Sequence, residues 1–344
     1  MNKAMNATLK LNLRMFDTSV PANTTETGSL SAEMKTFYDK NLLRYTKPHL
    51  VHDQFGQTRN IPKNGGKRIE FRRFEQLPKA LTPLTEGVTP EGQTMTVTKQ
   101  EAEVKQYGGF VSLSDQISMT AIDNVVVEAS ADERWYKNPT PAIGNQAGST
   151  LDTISREALN AGTNVQYAEG QVSSRSELTA EMKLTVKAIK MAVRALKVQN
   201  TAKINGHYVA IIHPDCAYDI TDDPRFIEAI KYKNPERIFE GEIGTLEGVR
   251  FIETTEAKKF ANAGASGIDV YSTLLMGENA YATTKIEGGG LETIVKALGS
   301  GGTADPLNQR STVGWKAMKV TEILSQQYMV RIETASTYND HKAN

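Results

Sequence analysis

TPAIGNQAGSTLDTISREALNAG, Thr140–Gly162, is the stretch on which the reading of the whole chain turns. Ile143, Ala147, Leu151, Ile154 and Ala158 recur at steps of four, four, three and four, which places them on one face of an α-helix. Thr140 is suited to cap its N-terminus and Pro141 to occupy the first helical position, where no N–H is needed. Gly162 follows the last periodic residues and is predicted to end the helix in the left-handed conformation. Gly144 and Gly148 lie one turn apart. Glycine costs helix stability, so the pair predicts a second backbone crossing closely at that point.

Upstream of this helix the chain reads as extended and polar. Residues 1 to about 30 are rich in Asn, Thr and Ser and form an arm without a core of its own. Met34, Phe37, Tyr38, Leu42 and Tyr45 keep helical spacing up to Pro48. Lys67–Leu77 and Gln93–Val104 have strand character, the latter alternating Thr94, Thr96 and Thr98 with Met95, Val97 and Lys99. Between them Pro78, Pro83, Gly87, Pro90 and Gly92 make a breaker-rich tip. The pair reads either as a long antiparallel arm leaning on another copy of the chain or as an edge hairpin of a larger sheet. An isolated hairpin is marginal in water. Arg68, Arg72, Arg73, Lys79, Glu86 and Glu91 are its candidate intersubunit residues.

Downstream the pattern is a mixture of helices and strands. Phe110–Leu113 is a returning strand, Ser114-Asp115 opens a short helix, and Ile122–Trp135 is helix-compatible. Ser174 and Glu177 have capping-box spacing and predict a long helix with Leu178, Met182, Val186, Ile189, Val193 and Leu196 as its buried stripe. Lys183, Lys187, Lys190, Arg194 and Lys197 form a basic stripe beside it, read either as a solvated face or as a face aimed at phosphate. His207–Ile212 is a buried-type strand closed by the turn His213-Pro214-Asp215. Strands follow in Gly241–Thr254 and Val270–Met276, and Gly314–Thr334 closes as a helix or strand pair around Trp315.

Composition narrows the function. Forty basic and forty acidic residues balance, which argues against a dedicated nucleic-acid binder. The single cysteine, Cys216, excludes an intrachain disulfide. No run approaches the apolar length of a membrane span. There is no GxxxxGK[ST] loop, no HExxH and no CxxC pair. Gly288–Gly290 lacks the strand and helix context of a dinucleotide loop. His213 with Cys216 reads as a turn residue beside a buried thiol, His49 and His52 lack a third metal ligand, and Asp222-Asp223 reads as a helix start before Pro224. These residues predict no catalytic site, no cofactor and no metal.

Four segments, in order, resemble one family: QAGSTLDTISREALNAGTN (Gln146–Asn164), VAIIHPD (Val209–Asp215), GEIGTLEGVRFIET (Gly241–Thr254) and DPLNQRSTVGWK (Asp305–Lys316). Together with the layout of arm, hairpin, long helix and α/β insertion, they resemble the major capsid proteins of tailed double-stranded DNA phages, in the N-four-like branch of the Hong Kong-type fold. ADERWYKNPTP (Ala131–Pro141) departs from that pattern by its prolines. The resemblance implies an α+β fold: an N-terminal arm with a short helix (1–58), an extension-loop hairpin (59–112), a peripheral domain with a spine helix (113–200), an axial α/β domain (201–311) and a return segment (312–344). It implies a virion shell protein that self-assembles into hexamers and pentamers. Its expected partners are scaffolding protein, portal, decoration protein and, non-specifically, packaged double-stranded DNA, with no membrane contact. The alternatives are a soluble α/β enzyme and another virion component of tail or decoration type.

Overall fold

The computed structural model describes residues 42, 44–46, 49–60, 68–74, 77–84, 86–89, 92–116, 139–233, 245–285, 291–301 and 305–344. The N-terminal arm, the segment Ile122–Trp135 and Gly288–Gly290 lie outside these residues. In chain order the elements are β1 (Gln57–Arg59), β2 (Arg68–Phe74), β3 (Val97–Glu103), β4 (Lys105–Ser114), α1 (Pro139–Asn160), β5 (Val165–Tyr167), α2 (Val186–Val198) and β6 (Tyr208–Ile212). Then come α3 (Pro214–Thr221), α4 (Pro224–Lys233), β7 (Thr245–Leu246), β8 (Val249–Glu253), β9 (Lys259–Phe260) and β10 (Val270–Met276). The last are β11 (Tyr281–Thr284), β12 (Leu291–Lys296), β13 (Arg310–Lys319), β14 (Thr321–Ile323) and β15 (Met329–Thr334).

A seven-stranded mixed sheet ordered β5-β15-β10-β6-β8-β7, with β9 joined to β10, forms the centre. β6 is apolar at every position because both of its faces are covered. Tyr208, Ala210 and Ile212 pack with Ala188, Ile189 and Leu196 of α2 and with Cys216 and Ile220 of α3. Val209 and Ile211 pack on the other side with Leu159, Leu274, Tyr281 and Met329. A three-stranded sheet β12-β13-β4 is antiparallel throughout, and its inward residues Val313, Trp315 and Ala317 pack on Ile143, Ala147 and Leu151 of α1.

The long helix follows the predicted phase, with Leu151 fully buried and Ile154 half-buried. The predicted close approach is present. A Cβ on Gly144 would lie 2.6 Å from Tyr45 Cβ, and one on Gly148 would lie 2.8 Å from the Thr46 carbonyl oxygen. The helix starts at Pro139, so Thr140 sits inside the first turn instead of capping it. Gly162 is not left-handed; its lack of a side chain makes room for Gln326 and Met329, which a Cβ would approach to 3.1 Å.

The predicted helix after Ser174 differs more. Arg175–Glu177 form only a 3₁₀ turn, and Glu177 accepts from the backbone N–H of Ser173, one residue earlier than the expected cap. The backbone beyond is committed elsewhere: the carbonyls of Leu178 and Met182 accept from Ala265 and Ala335. The helix proper begins at Val186, capped by Thr185 Oγ1, which accepts from the Ala188 N–H at 3.2 Å. Gly314–Thr334 is built of the strands β13, β14 and β15 with a 3₁₀ turn at Gln326–Tyr328, and holds no α-helix.

Candidate assembly surfaces

The hairpin has two different halves. β2 and β3 pair antiparallel from Arg68↔Glu103 to Phe74↔Val97 as a two-stranded sheet of their own. At its base Ile69, Phe71 and Ala102 are buried against Ala282, with Val320 and Leu324 beside them, and Gln100 Nε2 donates to Glu322 Oε1 at 2.9 Å. The base therefore leans on its own subunit, though as a separate two-stranded sheet, where the sequence left open support by another copy or by the edge of a larger sheet. The tip is different. Leu77, Leu81, Leu84, Val88 and Met95 are all exposed, Leu81 at 82%. Gly87 turns the tip with φ +81. Large apolar side chains clustered in water mark an interaction site.

The predicted hairpin charges fall in two groups. Arg68 pairs across the strands with Glu101 at 3.3 Å, and Arg72 Nε donates to Glu70 at 2.6 Å; both arginines are exposed. Arg72 beside Glu70 holds that carboxyl below its usual range. Lys79 and Glu86 stand exposed on the tip. The side chain of Arg73 and residue Glu91 lie outside the described residues.

The basic stripe is shortened. Lys183 precedes α2 and lies in a parallel bridge to Ala335, so it leaves the helical row. Lys187 donates to Glu169 at 2.6 Å and Lys190 meets Glu247 at 3.2 Å. The Lys187 hydrogen bond, with a second from Thr185, draws the Glu169 carboxyl below its ordinary range. Arg194 and Lys197 are exposed beside the apolar Val198.

A second exposed apolar surface lies on the outer face of β12-β13-β4. Sequence reasoning missed it because β4 was read only in part, as a short returning strand. Gly314 of β13 stands between Ile294 of β12 and Phe110 of β4, so one cross-strand row reads Ile294, Gly314, Phe110. Phe110 is 74% exposed. The glycine leaves a notch between the two side chains, opening into a groove of about 720 Å³.

The buried ionisable groups are held in structural pairs. Asp152 accepts from the His52 backbone N–H at 2.8 Å and lies 2.7 Å from its Nδ1. Lys319 donates to Asp53; burial lowers its pKa, against which Asp53 acts. Glu333 takes a bidentate pair of 2.7 Å bonds from Arg175. Burial pushes the Cys216 thiol far up, as befits an inert core residue. No cluster of three or more His, Cys, Asp or Glu suited to a metal ion occurs among the described residues, and none of their helices is long and apolar enough to cross a membrane.

Residues 152–299 match the family model described as phage capsid protein. No curated protein matches the sequence. Among solved structures, the chain is similar to the capsid of cyanophage Pam1, with 14% identity over 86% of this chain and 93% of that one and a TM-score of 0.63. It is similar to the capsid of Ralstonia phage GP4, with 14% identity, 80% and 85% coverage and a TM-score of 0.59, and to that of cyanophage P-SCSP1u, with 15% identity, 82% and 87% coverage and a TM-score of 0.59. The central segment thus matches a phage capsid family, and the chain around it folds as the Hong Kong-type capsid proteins do.

Proposed function

We propose that copies of this chain assemble as hexamers and pentamers into the icosahedral head shell of a tailed phage of the N-four-like branch, enclosing double-stranded DNA. In this reading 59–112 is the extension loop, 113–200 and 312–344 build the peripheral domain around α1, and 201–311 is the axial domain, with 1–58 as the arm. Scaffolding protein and portal are its assembly partners, a decoration protein a further one, and the chain performs no catalysis. The observation that carries the proposal is the hairpin, fixed at its base and apolar at its exposed tip, which has a use only against another molecule.

Deleting Pro78–Gly92 tests it. The tip contributes little to the subunit's own core, so circular dichroism of the variant keeps the folded signal while electron microscopy shows no closed shells. Shells of normal appearance refute the proposal for the hairpin. For DNA, the stripe now reduces to Arg194 and Lys197, since Lys187 and Lys190 have acidic partners within the chain. Only close contact with phosphate matters at about 0.15 M salt, where charges are screened beyond about 8 Å.

A further inference from the structure

Thr337–Asn344 follows β15 as an extended strap with no helix or strand, and every residue in it is exposed. It nevertheless covers four buried charged side chains of the body: Asp219 of α3, Lys259 of β9, Asp269 just before β10 and Arg156 of α1. Asp219 accepts from the Thr337 backbone N–H at 3.1 Å and from its hydroxyl. Asp269 accepts from the His341 N–H at 2.7 Å. Lys259 donates through Nζ to Asp340, and Arg156 donates through Nη2 to the Asn344 carbonyl at 2.9 Å. Two backbone N–H groups of the body also end on the strap, that of Lys259 on Asn344 Oδ1 at 2.8 Å and that of Asp269 on Asn339 Oδ1 at 3.3 Å.

The strap is held by polar groups, and its aromatic contact, Tyr338 edge-on to Tyr218 at 5.4 Å, joins two exposed rings. Lifting it forfeits little apolar burial and lets water reach the charges beneath. Asp269 keeps the Asn262 N–H, and Arg156 keeps Glu157 and Glu256, so neither is stranded. His341 is left-handed at φ 58, a conformation that a residue with a side chain keeps only while its surroundings impose it. The sheet below is of another kind: β6 is apolar at every position and paired on both sides. We infer that Thr337–Asn344 is a reversible latch that opens as one unit while the central sheet stays closed, uncovering the four charges. Closed, it fastens α1 to β9 and α3, since one short segment holds Arg156, Lys259 and Asp219 at once. Local openings range in free energy from near zero up to that of global unfolding, and a polar cover over charges that water can solvate belongs at the low end.

Hydrogen exchange of the full chain, read at single amides, tests this. The N–H groups of Thr337, His341, Lys259 and Asp269 are expected to share one protection factor, at least about 100-fold below that of the β6 N–H groups. Asn344→Ala then separates a latch from a set of independent contacts. It removes the acceptor of the Lys259 N–H and touches the N–H of neither Thr337 nor His341. In a latch it speeds exchange at those two as well, by about 10-fold, with β6 unchanged. Four unrelated protection factors, exchange of the four groups only at the β6 rate, or acceleration by Asn344→Ala confined to Lys259 overturns the proposal. The wild-type measurement needs no substitution, so it decides even where the variant does not fold.

Discussion

Replacing Gly148 by alanine sets two opposed effects against each other. Alanine is favoured over glycine inside a helix by about 1 kcal/mol, so on an open helix face the change stabilises. At Gly148 the new Cβ would stand 2.8 Å from the Thr46 carbonyl oxygen and 2.9 Å from His49 Cβ. Neither contact is the yielding end of a side chain. The crossing segment is also tied down: Thr46 Oγ1 donates to the Leu42 carbonyl at 2.8 Å and lies 3.2 Å from the Gly144 carbonyl, and His52 is held by Asp152. Overpacking of this kind costs about 1–3 kcal/mol, which exceeds the propensity gain. The expected net effect is destabilisation of about 1 kcal/mol, or about 2 °C in melting temperature for a chain of this size, roughly doubled when Gly144→Ala is added. Thermal unfolding of unassembled subunits measures it. A rise in melting temperature for both single variants would refute the close crossing of the 42–49 segment over the long helix.

Two further outcomes follow from the same packing. Leu151→Ala is expected to cost about 2–5 kcal/mol, since the side chain is fully buried with Trp315 and Ala317, and Ile154→Ala less, since that side chain is half-buried; chemical denaturation giving near-zero losses for both would mean the helix faces the other way. His213 is lowered from its ordinary value by burial, with Lys259 acting in the same direction and Asp215 and Asp340 against, and its Nδ1 accepts from the Asp215 N–H. The unfolded chain therefore binds the proton first, so stability falls as pH drops below about 6.5 towards the lowered folded value. His213→Asn keeps a capping acceptor without the titration; its melting temperature should change less between pH 7.5 and 5.5 than that of wild type, and equal slopes would contradict the assignment.

Regular periodicity made the apolar face of α1 legible, and a fully apolar run made β6 legible, because both are local patterns set by burial. The boundaries of α2 were not legible. Leu178 and Met182 fit its stripe by spacing, yet they pack with Ala168, Val270 and Phe260 instead, in a segment whose carbonyls bond to Ala265 and Ala335. Ala265 and Ala335 lie more than 80 residues from the carbonyls they meet, and no local signal reports them. The hairpin was half legible. Its strands and breaker-rich tip are written in alternation and proline, but the burial of Ile69 and Phe71 depends on Ala282, Val320 and Leu324, which lie far along the chain. The outer face of β12-β13-β4 depends on register: only the pairing of Gly314 with both Phe110 and Ile294 turns three separate residues into a notch.

The second face of the long helix explains how the hairpin is held. Asp152, Ser155, Arg156 and Asn160 look like the solvent side of an amphipathic helix, and all four are buried. The chain that enters the hairpin covers the first two, and later segments cover Arg156 and Asn160. Asp152 binds His52; Ser155 Oγ donates to Asp53 at 2.6 Å and lies 2.8 Å from Thr321 Oγ1; Lys319 at the end of β13 closes on the same Asp53. Arg156 Nη1 reaches the Glu256 carbonyl at 2.9 Å, and its Nη2 reaches that of Asn344 at the same distance. A buried pair adds little net stability over apolar packing, but losing one partner strands a charge at a cost of about 3–5 kcal/mol, so such pairs fix geometry more than they add energy. Asp53 lies four residues before β1, and β1 pairs with β11 just ahead of the hairpin. The root of the arm is thereby fastened to the helix and to β13, the strand that also floors the notch. The arm therefore leaves the body from a root held by Asp53, Ser155 and Lys319, so its direction is set by the long helix and β13 and not by the hairpin's own two strands.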